Sequence, residues 1–228
     1  NLLLLEEFNV DGVIMNLCHE THNHDVYQEI MDRGIPIVFF DRIPDKALNA
    51  SNVMVNDSLC ASLMTKHLIE TGRKRIAHIM GPSIIRNTTE RAFAYEKVLK
   101  DHSIFDPDLM IKTEGVSFDD GRNAAKQLLN MDKDFDSIFA FTDTLAIGAM
   151  NYLLDEGVKI PKDVSIASFS GTELAIMVHP QLTSVEQPMV QMGEAAAKLV
   201  LEKINNKDAQ SKTIVMDAKL IYRASTSI

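Results

Sequence analysis

What most constrains this chain is a regular alternation of two hydrophobic periods along it. Apolar runs of strand length occur at 10–15, 35–41, 75–80, 109–113, 137–142, 164–169 and 213–222, and most are separated by stretches of helical spacing. The helical stretches carry their own punctuation. Residues 26–33 end at Gly34; Cys60, Leu63, Met64, His67 and Leu68 stop at Gly72; Ala146, Ile147, Met150, Leu153 and Leu154 stop before Gly157. Ser117 with Asp120 makes a capping box that opens a helix toward Asn130, and Pro188 suits the first turn of a helix reaching Asn205. Strand, helix, strand, helix predicts an α/β fold whose parallel sheet is covered on both faces. With 228 residues, 46% of them hydrophobic, and no apolar run of membrane-spanning length, a soluble chain can bury a large core in one domain or two. There is no internal repeat, low-complexity tract or long linker.

Charge and cysteine content remove several function classes. Lys and Arg total 23 against 32 Asp and Glu, a net charge of -9, so this stretch is not expected to grip nucleic acid itself. Arg73-Lys-Arg75 is the one dense basic cluster, and it reads as a solvated corner between helix and strand. Two cysteines give no disulfide framework, which fits a reducing compartment. No G-x-G-x-x-G follows a strand and no G-x-x-x-x-G-K-[ST] is present. Ser168-Phe-Ser170-Gly171 lacks the leading glycine of a nucleophile elbow. Asp119 and Asp120 are explained by the dipole of the helix that they open. Asn56-Asp-Ser58 and Asn87-Thr-Thr89 fit the glycosylation tripeptide, which is too common to imply secretion.

The segment Asn16-Leu-Cys-His-Glu-Thr-His-Asn-His-Asp25 raises the question of a metal. His19, Glu20 and His22 read H-E-x-H, one residue short of the spacing that puts two histidines on one helix face. A structural clip would need a second ligand pair, and Cys60 has only His67 downstream. The segment is therefore expected to be a polar loop after a parallel strand, the place where α/β proteins take ligands. No metal, cofactor or catalytic residue is expected.

Five motifs carry a resemblance. His67-Leu-Ile-Glu-Thr-Gly-Arg-Lys-Arg-Ile-Ala77, Gly81-Pro82, Arg91-Ala-Phe-Ala-Tyr95, Phe141-Thr-Asp-Thr-Leu-Ala-Ile-Gly148 and Pro180-Gln-Leu-Thr-Ser-Val-Glu-Gln-Pro188 are similar, in order and spacing, to the LacI family of bacterial transcriptional regulators. The resemblance implies an effector-binding core with the fold of type I periplasmic sugar-binding proteins: two Rossmann-like subdomains, three hinge crossings and a ligand in the cleft. It assigns 1–81 with 188–222 to the first subdomain and 82–187 with 223–228 to the second. It further implies a helix-turn-helix headpiece and a first βαβ unit ahead of Asn1, where Leu2-Leu-Leu-Leu5 looks like a helix entered midway. On this reading the protein is a cytoplasmic homodimer that senses a sugar and acts on operator DNA through the headpiece, with no membrane partner. Ligand closes the hinge and changes DNA affinity at a distance. The alternative is an exported sugar-binding protein of the same fold.

Matched position by position, the resemblance implies ligand contacts from Asn16, Asn56, Arg91, Thr142, Asp143, Ser170 and Met189. Asn16 ends the first strand with an amide able to donate and accept, and Arg91 offers a rigid fork for hydroxyls or a carboxylate. Asp143 has a rival reading as a helix cap. Two departures bear on the ligand. The family's G-F/Y-D-D run reads Ser168-Phe-Ser170-Gly171, replacing a hydroxyl-binding carboxylate by Ser170, and Val116 stands where an aromatic commonly stacks, with Phe118 nearby. One lost charge-assisted bond removes about 1.5–3 kcal/mol from a matching ligand. A sugar is the leading expectation, with an acidic ligand on Arg91 as the other, and Arg91→Ala is expected to abolish the response while the fold persists.

Overall fold

The computed structural model describes residues 8–17, 25–44 and 48–227. The chain divides into two compact units, one formed by residues 1–56 and 188–217, the other by 57–187 and 218–228.

The first unit contains β1 (Val13–Met15), α1 (Asp25–Asp32), β2 (Ile37–Phe40), β3 (Ser51–Val55), α7 (Met189–Asn205) and β9 (Thr213–Met216). Its four strands are all parallel in the order β1-β2-β3-β9. Ser51–Val55 alternates buried and half-buried residues, the period-2 signature of a strand with one face inward. Helix α7 lays Met192, Ala195, Ala196, Leu199 and Val200 inward, a helical stripe that packs on β1 to β3. Tyr27, Ile30, Ile37 and Phe39 fill the core beside it, with the Tyr27 and Phe39 rings edge to face at 5.3 Å.

The second unit contains α2 (Asp57–Glu70), β4 (Ile76–Met80), α3 (Arg86–Asp101), β5 (Met110–Lys112), α4 (Phe118–Asn130), β6 (Ser137–Ala140), α5 (Asp143–Asp155), β7 (Ser165–Ser170), α6 (Leu174–Met177), β8 (Thr183–Glu186) and β10 (Lys219–Ile221). Its six strands run in the order β10-β8-β7-β6-β4-β5, parallel except for the edge strand β10. All five residues of β4 are buried, as expected where both sheet faces are covered. Ala77 and Ile79 join the cluster built from α4 and α5, while His78 between them stacks on Tyr95 of α3.

The expected helix ends hold: Gly34, Gly72 and Gly157 each follow a helix with φ of +92°, +90° and +80°. Ser117 and Asp120 form the expected reciprocal capping box.

Four expectations need correction. Strands at 51–55 and 183–186 were not foreseen. The single strand expected over 213–222 is two, because β9 pairs with β3 in one sheet and β10 with β8 in the other. The domain boundary expected at Gly81 lies instead at Asn56, because β4 hydrogen-bonds to β5 and β6 inside the second unit. Arg73 is no solvated corner: it is buried, and donates to the Ser165 hydroxyl and to the carbonyls of Asp163 and Pro161.

Helices α4 and α5 approach so closely that a Cβ on Gly121 would lie 2.1 Å from the Leu145 carbonyl oxygen, and one on Gly148 2.0 Å from that of Phe118. Backbone cannot yield as a side-chain tip does, so Gly148→Ala is expected to cost about 2–3 kcal/mol. Urea unfolding measures this, and an unchanged midpoint would contradict the packing.

Candidate functional site

In each unit the polar residues gather at the carboxyl ends of the parallel strands, where such sheets present ligand-binding loops. In the first unit, Asn16 follows β1 and donates its side-chain amide to Asp41 Oδ2 at 3.0 Å. Asp41 follows β2 in the left-handed region, with φ of +59°. Asn56, exposed, follows β3, and Met189 opens α7 with 45% of its surface exposed. The segment Cys18–His24, which holds the histidine-rich motif, lies outside the described residues. Among the described residues there is no group of three or more His, Cys, Asp or Glu able to hold a metal ion.

The second unit carries two buried polar clusters. In one, Arg91 is only 3% exposed. Its Nε donates to Asp57 Oδ1 at 2.7 Å and its Nη1 to the Phe141 carbonyl oxygen at 2.7 Å. The guanidinium lies over the Phe169 ring at 3.4 Å, with Phe141 at 4.6 Å, so two aromatic faces hold its plane. Asn87, one turn before Arg91, donates to the other Asp57 oxygen at 2.9 Å. Arg91 is thus a buried, paired cation whose Nη2 makes no hydrogen bond among the described residues.

The other cluster surrounds Asp143. Thr142 caps α5 through the Leu145 amide at 3.3 Å, and Asp143 begins the helix. Its Oδ1 accepts from the hydroxyls of Ser168 at 2.6 Å and Ser184 at 2.8 Å; its Oδ2 accepts from the amide and hydroxyl of Thr172 at 2.6 and 2.8 Å. Four donors fill the roughly four acceptor places of a carboxylate. The Ser184 hydroxyl also accepts from the Gly171 amide at 3.1 Å. Together these bonds fix the turn at 170–172, in which Ser170 carries φ of +111°. The Ser170 hydroxyl itself makes no hydrogen bond among the described residues.

Arg91, Thr142, Asp143 and Ser170 therefore converge on one end of the second sheet, and Asn16, Asn56 and Met189 on the corresponding ends in the first. Sequence reasoning missed Asp41, Asp57, Asn87, Thr172 and Ser184. Asp41 was visible as an acid directly after an apolar run, whereas Asp57 and Ser184 carried no signal of their own. Asp143→Ala is expected to cost about 2 kcal/mol, because two buried serine hydroxyls lose their acceptor. Hydrogen exchange reads the local effect: the Thr172 amide should lose protection, and unchanged protection would contradict the clip.

The family model described as "Periplasmic binding protein-like domain" matches residues 65–226. The chain is 31% identical over 224 residues to the HTH-type transcriptional repressor PurR of Vibrio atlanticus, covering 97% of this chain and 66% of the relative. It is 30% identical over 225 residues to the ribose operon repressor of Halalkalibacterium halodurans, covering 99% and 65%. The chain thus spans about two thirds of the length of these curated relatives. Among solved structures, the transcription regulator CcpA of Lactococcus lactis superposes with a TM-score of 0.90 at 28% identity, covering 99% of this chain and 82% of that one. A LacI family transcriptional regulator from Enterococcus faecium with bound ribose gives 0.86 at 25%, covering 98% and 82%. The chain belongs to the periplasmic-binding-protein-like domain family, and the proteins that it is similar to include transcriptional repressors and a LacI family transcriptional regulator.

Proposed function

We propose that this chain is the effector-binding and dimerisation core of a ligand-responsive, DNA-binding transcriptional regulator, and that its effector is a sugar or a sugar-derived metabolite. The regulator works in the cytoplasm as a homodimer and reaches operator DNA through a headpiece outside this sequence. One observation carries the reading: in each unit polar side chains stand at the carboxyl ends of parallel strands, in a chain whose compared relatives are named as repressors or transcription regulators. A sugar suits that set because hydroxyls both donate and accept, as do Asn16, Asn56, Thr142 and Ser170. Arg91 offers its Nη2 edge, and Met189 an apolar surface for a sugar ring. Asp143 acts through the 170–172 turn, since its acceptor places are filled.

An enzymatic reading has less support. Ser168 donates straight to a carboxylate, and among the described residues no histidine is hydrogen-bonded to it as a base. Among the described residues no helix is long and apolar enough to cross a membrane. The relatives compared are regulators, which favours this reading over an exported binding protein.

The ligand acts by binding one arrangement of the protein better than another, which shifts the population and with it the DNA affinity. Fluorescence anisotropy of the intact regulator on its operator tests this. A bound sugar should change operator affinity about tenfold or more, within the usual 1–3 kcal/mol of allosteric coupling. A sugar that binds and leaves operator affinity unchanged would overturn the regulator reading.

A further inference from the structure

Within the second unit, helix α2 and the edge strand β10 border a surface that no other element covers among the described residues. Leu59, Leu63, Lys66 and Glu70 of α2 are exposed, and their spacing of three or four residues aligns them on one side of the helix. Strand β10 beside them pairs with β8 alone, so half of its backbone groups turn outward. Between helix and strand lies a groove of about 490 Å³, lined by Leu63, Lys66, Glu70, Lys219, Ile221 and Tyr222. Glu70 and Tyr222 also line a neighbouring hollow of about 570 Å³ at His67 and Gly72. Leu63 is 42% and Tyr222 60% exposed, and the Tyr222 ring is held against that of His67 at 4.3 Å. A ring already fixed by a neighbour loses little freedom on binding, which makes Tyr222 a ready anchor. Lys66 and Lys219 are exposed and make no ion pair or hydrogen bond among the described residues.

From this we infer that the β10 edge and its groove are a docking site for an extended acidic segment of a partner protein, which joins the sheet as a further strand. The backbone of the incoming segment bonds the outward groups of β10. Its side chains alternate between two faces, as those of β10 do: Leu220 shares a face with Tyr222, and Lys219 with Ile221. A carboxylate on one face then meets Lys66 and one on the other meets Lys219, while an apolar residue covers Leu63 and Tyr222. Charge decides the occupant. Two lysines against Glu70 make the groove a basic island on a chain whose net charge is -9. A second copy joined edge to edge would set one Lys219 near the other, and like charges across paired strands repel. A nucleic acid gains too little from two lysines beside a carboxylate. The inference involves no effector, so it stands or falls independently of the sugar-sensing reading.

Fluorescence anisotropy of labelled peptides on the intact protein tests the inference. The probes are TEVIDVT, whose two acids fall on opposite faces of a strand, its lysine counterpart TKVIKVT, and TEPIDPT, which keeps both acids but cannot complete a backbone ladder. TEVIDVT should bind with a Kd of about 100 µM or tighter, and at least about tenfold more tightly than either counterpart. In the double variant Lys66→Glu with Lys219→Glu, which changes only exposed side chains, the preference between the acidic and the lysine peptide should invert. Equal binding of TKVIKVT to the wild type overturns the acidic partner, and equal binding of TEPIDPT overturns strand addition. A preference left unchanged in the double variant overturns the groove as the place of binding. No binding of TEVIDVT up to about 1 mM overturns the docking site altogether. If the double variant changes the sedimentation of the protein itself, the edge joins two copies and the foreign partner is overturned.

Discussion

Arg91→Ala is expected to lower the free energy of unfolding by about 3–5 kcal/mol, the cost of stranding one member of a buried ion pair. Removing the guanidinium takes from Asp57, 0% exposed, its 2.7 Å ion pair with Arg91 and empties the space over Phe169. The motif match alone implied a variant that loses ligand and keeps its fold; the geometry makes Arg91 structural as well. Urea unfolding of Arg91→Ala, Asp57→Ala and the double variant checks this. The double variant should recover part of the loss, because neither member of the buried ion pair is then present without the other. An Arg91→Ala protein within about 1 kcal/mol of wild type would contradict the account.

His78 produces the second large effect, and it depends on pH. The ring is completely buried between Tyr95 and Phe139, with centroids 4.9 and 5.1 Å away. Its Nδ1 lies 2.7 Å from the Phe139 carbonyl oxygen, while Nε2 has no partner among the described residues. Burial pushes its pKa from 6.5 down to about 4; the bond to Phe139 opposes the shift and the Arg91 charge reinforces it. The folded protein thus prefers the neutral ring, and between pH 6.5 and about 4 the unfolded chain binds the extra proton. The contribution is complete above pH 6.5 and disappears as pH falls through about 4, a loss of about 3 kcal/mol at 1.36 kcal/mol per unit. His78→Phe keeps a flat ring in the stack and removes the titration. Its stability should fall less steeply over that window, by about one proton; identical slopes would show that His78 does not titrate there.

The sequence carried the fold where physical signals are local. Hydrophobic period, the glycines after helices and the Ser117 box each depend on residues within one or two turns, and they located most strands and helices. Ser51–Val55 and Thr183–Glu186 escaped because a strand of four or five residues with polar members offers too few positions to establish a period. The break in 213–222 escaped for another reason: which sheet a strand joins is decided by its partners, β3 for one half and β8 for the other. The site divides in the same way. Residue types at strand ends were legible, whereas pairing was not, since Asp57 and Arg91 are 34 positions apart and Asp143 and Ser184 are 41. Those distant partners make Asp143 the clip of a turn and pair Arg91 with Asp57.

Sugar binding by this core is measured most directly by thermal unfolding of the protein across neutral mono- and disaccharides. Ligand at a hundred times its Kd stabilises the folded state by about 2.7 kcal/mol. For a chain of this size that corresponds to a rise in Tm of about 5–10 °C. The account expects at least one sugar to give a saturable rise of this order. A folded protein whose Tm is moved by none of them would contradict it.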